Sequence, residues 1–235
     1  MAKYGKKYRE IQKKAPKEEV KLDQAIAFVK ANPAARFDET VELGIRLGID
    51  PKKSDQVVRG TVKLPHGTGK NIKLLVFASG EAAEAAREAG ADFVGNDDMI
   101  EKVKNGWVDF DMTIATPEAM KEVKKLGRVL GPRGLMPNPK TGTVTDDTAT
   151  AVKQCKAGKV EFRMDKHGNV NVACGKLSFE ANKLIENVQS VVAAVREERP
   201  AGAKGTYIRN CTISTSMGVG LRVSVSEIGD VSHEA

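Results

Sequence analysis

Residues 127–143 read GRVLGPRGLMPNPKTGT, a stretch with four glycines, three prolines, three cations (Arg128, Arg133 and Lys140) and no carboxylate. Prolines 132, 137 and 139 remove backbone donors and fix φ, while the glycines at 127, 131, 134 and 142 open turns closed to other residues. The composition predicts a stiff cationic loop with exposed donors, neither a helix nor a central strand. The sequence grammar differs on its two sides, so the loop marks a domain boundary.

On its N-terminal side, strands and helices alternate. IKLLVFA is a continuous apolar strand, EAAEAAREAG a helix ended by Gly90, ADFVG a second strand and DDMIEKVKNG a second helix. MTIAT and PEAMKEVKKLG repeat the unit, with Pro117 opening its helix where no amide donor is missed. Strands apolar on both faces with helices between them predict a small parallel sheet, a Rossmann-like α/β domain over residues 68–158.

On the C-terminal side the period shortens to two. KVEFRM and VNVACG predict a hairpin, with Val160, Phe162 and Met164 alternating before the Gly168-Asn169 turn and Val170 and Val172 after it. A helix from an N-cap at Ser178 to about Glu198 gathers Leu184, Ile185, Val188, Val191, Val192 and Val195 on one face, with Pro200 beyond its end. TYIRNCTIST and LRVSVS then predict an antiparallel pair joined through residues 216–220.

The other chain end holds matching parts. VKLDQAIAFVKAN is a short amphipathic helix closed by Pro33, and FDETVELGI a strand with Val41, Leu43 and Ile45 inward. DQVVRGTVKL turns Val58, Val62 and Leu64 inward, and a turn at Pro51, Lys52 and Lys53 predicts that these two strands pair. Neither terminal half can cover its own sheet. Residues 1–67 and 159–235 are therefore expected to form one discontinuous α+β domain with an antiparallel sheet, the α/β domain being inserted near Pro65-His66-Gly67. Two chain crossings permit hinge motion.

The chain carries 38 Lys and Arg against 31 Asp and Glu, a formal charge of +7. Residues 1–21 concentrate eight cations against three glutamates, an arm suited to phosphate contacts and counterion release. Cys155, Cys174 and Cys211 have no C-x-x-C spacing and read as small core residues. No signal peptide and no apolar run of about 18 residues is present, which predicts a cytoplasmic protein without a membrane partner.

Enzymatic chemistry finds little support. Gly67-Thr68-Gly69-Lys70 lacks the P-loop spacing, since Asn71 and a strand follow the lysine. After LLVFA the chain reads Ser79-Gly80-Glu81, without the dinucleotide fingerprint. His66, His167 and His233 are scattered, so neither a metal site nor a catalytic set emerges. A nucleotide- or cofactor-dependent enzyme using the α/β insert is the alternative reading, and it lacks a phosphate-cradling glycine motif.

Aromatics are scarce, at 5%, which argues against stacking successive single-stranded bases and favours folded RNA. Phosphates and 2′-hydroxyls are met by cations, small hydroxyl residues and close backbone, here Arg36, Thr40, Lys166, Ser214, Ser216, Gly218 and Gly220. His167 beside Lys166 is either a solvated turn residue or a contact to RNA backbone. Phe37 reads on composition as a core aromatic. Met217, flanked by glycine in a turn, has little core to fill and can pack on ribose.

GRVLGPRGLMPNPKTG, together with the basic start MAKYGKKYREIQKKA, the segment ARFDETVELGIRLGIDPKKSDQVVRGTVKLPHGTGK and the late STSMGVG, resembles bacterial members of the large-subunit ribosomal protein L-one family. The likeness spans nearly the whole chain. It implies the split-domain arrangement and a main RNA site around Phe37 and Thr40, around Lys166 and His167, and at Ser216, Met217 and Gly218. The loop from Gly131 to Lys140, with Arg128, would face a secondary RNA contact. The implied partners are the mobile stalk of large-subunit ribosomal RNA, exit-site tRNA and the messenger of its own operon, which it would repress. The resemblance also implies no cofactor and a monomer outside the ribosome.

Overall fold

The computed structural model describes residues 5–51 and 53–225, apart from the side chains of Ser54 and Lys140. Expectations placed on Lys3, Lys52, His233 and the Lys140 side chain lie outside the described residues. The chain divides into two compact units, Met1–Gly69 with Val160–Ala235, and Lys70–Lys159.

The first unit opens with α1 (Lys6–Lys14) and α2 (Leu22–Ala31). The basic start, expected only as an arm, is helical, and it buries Ile11 while its cations face solvent. Strands β1 (Thr40–Leu47) and β2 (Arg59–Lys63) follow.

The second unit runs β3 (Leu74–Phe77), α3 (Glu81–Glu88), β4 (Phe93–Gly95), α4 (Asp97–Lys104) and β5 (Met112–Ala115). Its three strands are parallel in the order β4-β3-β5. Helix α5 (Met120–Val123) leads through a 3-10 turn, Lys124–Leu126, into α6 (Gly127–Leu130), and α7 (Thr148–Lys156) closes the unit. Gly127–Leu130 was expected as loop and is helical. No proline falls within residues 127–131, and Leu126 and Leu130, four residues apart, bury together against Leu75 and Phe77. Pro117 lies in the turn ahead of α5 rather than in its first turn. Helix α7 has no counterpart in the sequence reading; Asp147 caps it, accepting the Thr150 amide at 3.0 Å.

Back in the first unit come β6 (Lys159–Arg163), β7 (Asn169–Lys176), α8 (Ala181–Glu197), β8 (Ile208–Thr215) and β9 (Leu221–Val223). A four-stranded antiparallel sheet runs β7-β1-β8-β9, and β2 pairs with β6 separately. The expected pairing of β1 with β2 does not form, because β7 and β8 occupy both edges of β1. The β6–β7 hairpin is likewise brief: Met164 and Val170 make one bridge, after which the strands part to different sheets.

One face of the large sheet is apolar, with Val41, Leu43, Ile45, Val172, Cys174, Cys211 and Ile213 buried against Ile26 of α2 and Leu184, Val188, Val191 and Val192 of α8. Ser178 does not cap α8. Its amide and hydroxyl both donate to Asp38, and Glu180 stands at the cap position. The opposite face is left to polar residues.

Candidate nucleic-acid interface

Strand β1 delivers its first residue, Thr40, to one end of the polar face. The chain before it bends through Ala35, Arg36 and Phe37, so these side chains precede the pleat and escape the core. Phe37 is 60% exposed, contrary to the core position that composition suggests, and Met217, in the turn after β8, is 61% exposed. Two large apolar side chains left in water on the loops at this end of the sheet mark a contact surface rather than packing.

Hydrogen bonds fix this end. Ser216 donates its amide to the Thr40 carbonyl and accepts the Thr40 amide on Oγ, each at 3.1 Å. Lys176 donates from Nζ to Thr40 Oγ1 at 3.1 Å. Glu39, wholly buried, accepts the Ala35 amide at 2.6 Å and the Met217 amide at 3.1 Å. Burial pushes its carboxyl up, but hydrogen bonds from the Ala35 amide, the Thr215 hydroxyl and the Met217 and Ala34 amides outweigh that and hold it below its ordinary value. At Gly218 a Cβ would lie 2.2 Å from Thr215 Oγ1, so any side chain there would force the Thr215 hydroxyl to move.

Along the face, β1 contributes Glu42, Gly44 and Arg46, β7 contributes Asn169 and Asn171, and β8 contributes Asn210, Thr212 and Ser214; together they line a shallow concavity. Its floor is Gly44, which faces Asn171 on one side and Thr212 on the other. The side chains present amide, hydroxyl, carboxylate and guanidinium groups, a set able to meet ribose hydroxyls and base edges.

At the far end, Asp165 Oδ1 accepts the His167 and Asn169 amides, both at 2.8 Å, and Gly168 takes φ 80°. These bonds, led by that of the Asn169 amide, hold the Asp165 carboxyl below its ordinary value. The turn leaves Lys166 and His167 exposed. Antiparallel register sets Thr40 opposite Lys176 and Arg46 opposite Asn169, so these two residues sit at the other end of the strands from Met217. At about 3.4 Å per residue the separation is roughly 20 Å. The expected residues thus form two groups, Arg36, Phe37, Thr40, Ser216, Met217, Gly218 and Gly220 at one end and Lys166 and His167 at the other, with Ser214 on the face between.

Asn169, Asn171, Asn210, Arg46, Lys176 and Glu39 were not among the expected residues. For Arg46 and the asparagines the signal was the strand alternation itself, which assigns β1's outward positions correctly and, once extended to β7 and β8, yields the asparagines; Glu39 and Lys176 share the parity of the buried positions and carry no such signal.

In the second unit Arg128, on α6, and Arg133 are exposed. Beyond Gly134 the loop is held from inside as well as by proline: buried Thr143 accepts the Asn138 amide on Oγ1 at 2.8 Å. Among the described residues no group of three or more His, Cys, Asp or Glu is placed to hold a metal ion, and no helix is long and apolar enough to cross a membrane.

A family model described as the Ribosomal protein L1p/L10e family matches residues 29–219, a span that includes β1, the inserted unit and the Ser216–Gly218 turn. Membership implies a structural, non-enzymatic role in the cytoplasmic large subunit. The chain belongs to the Ribosomal protein L1p/L10e family and is a large-subunit ribosomal protein that binds ribosomal RNA.

Proposed function

We propose that this protein binds the mobile stalk of large-subunit ribosomal RNA beside the tRNA exit site, contacting exit-site tRNA there, and that it represses its own operon by binding the messenger on the same surface. The supporting observation is the pairing of exposed Phe37 and Met217 with a polar sheet face that ends at Lys166 and His167. Apolar side chains pack on ribose, hydroxyls and amides read 2′-hydroxyls, and cations meet phosphate. Arg128, Arg133 and Lys140 supply a secondary RNA contact from residues 68–158, while residues 1–67 and 159–235 carry the main one. Outside the ribosome the protein acts as a monomer.

Regulation by one surface requires unequal affinities. The messenger is bound only when ribosomal sites are filled, so the ribosomal fragment must bind more tightly. Competition binding at fixed salt, with a ribosomal stalk fragment displacing labelled operon messenger, tests this. Mutual displacement with the ribosomal fragment at least tenfold tighter is expected. Simultaneous binding of both RNAs, or equal affinity, would overturn the repressor reading.

A further inference from the structure

Among the described residues Glu39 is the only carboxylate or cation buried from solvent. Burying a carboxylate is costly unless its oxygens are well bonded. Its partners are amides and a hydroxyl rather than a cation: Oε1 takes the Ala35 amide and Oε2 the Met217 amide. These amides belong to loops 182 residues apart in sequence (35 and 217), one leading into β1 and the other leaving β8. The backbone carbonyl of Glu39 meanwhile accepts the Leu177 amide at 2.8 Å, tying the same residue to the end of β7.

Each amide that Glu39 holds lies close in sequence to an exposed apolar side chain. Ala35 is two residues from Phe37, and Met217 is itself the residue held. A carboxylate bonding both amides fixes the spacing between the two side chains without touching RNA. We infer that Glu39 is a positioning residue that locks the Phe37 and Met217 loops into one ribose-packing surface, setting how well a folded RNA fits rather than how strongly its phosphates are attracted. The inference rests on the reading that this end of the sheet meets RNA.

Glu39→Gln tests it, since the amide substitutes an N–H donor for one of the two acceptors. Affinity for a ribosomal stalk fragment should fall about tenfold, equivalent to about 1.4 kcal/mol. The slope of log affinity against log salt should stay unchanged, because no phosphate-binding cation is lost. Val195→Ala, a core truncation in α8, serves as the control that lowers the melting temperature while leaving affinity at working temperature intact. Met217→Asp separates the two ideas. If Met217→Asp leaves binding unchanged, the RNA reading of this surface fails. If it weakens binding while Glu39→Gln does not, or if Glu39→Gln alters the salt slope, the positioning role alone fails. Should Glu39→Gln not fold, hydrogen exchange of the unsubstituted protein decides: the Ala35 and Met217 amides should be protected and exchange through one shared opening, and rapid or unequal exchange would overturn the inference.

Discussion

Thr40 and Ser216 hold each other twice, amide to carbonyl in one direction and amide to hydroxyl in the other, both at 3.1 Å. The ladder between β1 and β8 is in register from Val41 opposite Thr215, so this pair extends it one step past the strand end. The side-chain oxygen takes over where the chain turns away. Ser216→Ala removes that acceptor and should cost about 0.5–1.5 kcal/mol of stability, at the lower end because water reaches the site. Ser216→Thr keeps the hydroxyl and should be near neutral. Urea denaturation of the two variants checks this, and equal midpoints would show that the hydroxyl carries no weight.

Lys166 stands at the other end of the face, in the turn held by Asp165. If RNA spans the whole face, Lys166→Ala should reduce the magnitude of the salt slope by about 1 and weaken binding to different RNAs alike. The measurement is affinity at several salt concentrations. An unchanged slope would confine the RNA to the Met217 end.

Asn187 is fully buried in α8 and bonds three backbone groups. It accepts the His66 amide at 3.1 Å and donates to the carbonyls of Gly67 at 3.0 Å and Cys174 at 2.7 Å. Asn187→Leu fills similar space but leaves these groups unpaired, which should cost about 2–4 kcal/mol. Thermal and urea unfolding should both report the loss, while RNA affinity of the folded protein stays within twofold. A loss below about 1 kcal/mol would mean that water replaces the side chain.

Asn187 also shows where sequence reading stops. The apolar positions of α8 announce themselves by helical spacing, and Leu184, Val188, Val191, Val192 and Val195 are all buried. A single asparagine among them carries no periodic signal, because its value depends on backbone groups 120 and 13 residues away. Strand identity was legible in β1 from Val41, Leu43 and Ile45, yet its partners were not: alternation says which face is buried and nothing about which edge is taken. The same limit applies to the candidate site. Met217 was legible as exposed because glycine flanks it and no core lies near. Phe37 was not, since only the start of β1 at Thr40 decides that it falls outside the pleat. Gly127–Leu130 misled because its glycines and the prolines after it weigh on composition, whereas the burial of Leu130 against the parallel sheet decides the backbone.

Glu39 also gives the acid response a defined sign. Its folded value lies below the ordinary 4.5, so the folded state binds this proton less readily than the unfolded chain. The contribution is fully present above the unfolded value and is lost as pH falls through the lower folded value. Stability measured by urea should be little affected by this group from pH 7 to 5 and should fall below about pH 4, with at most about 1.4 kcal/mol per pH unit from one such group. Glu39→Gln, less stable at neutral pH, should show the shallower acid slope. Parallel slopes would mean that other carboxylates dominate and that Glu39 does not titrate with folding.

The three cysteines provide a probe for each unit separately. Cys174 and Cys211 lie in the core of the first unit and Cys155 in that of the second, all buried. Burial pushes the Cys174 and Cys211 thiols up to about 12 and raises that of Cys155, so little thiolate exists at neutral pH. Since the thiolate is the reactive form, native protein should resist a thiol reagent at pH 7.5, and all three should react once denatured. Under mild denaturant, Cys155 reports opening of Lys70–Lys159, whereas Cys174 and Cys211 report opening of the first unit. Stalk RNA should slow the latter pair by the factor that its binding stabilises that unit, and should leave Cys155 labelling unaltered if the main contact lies on the first unit alone. Equal slowing of all three would instead place RNA contacts of comparable weight on both units.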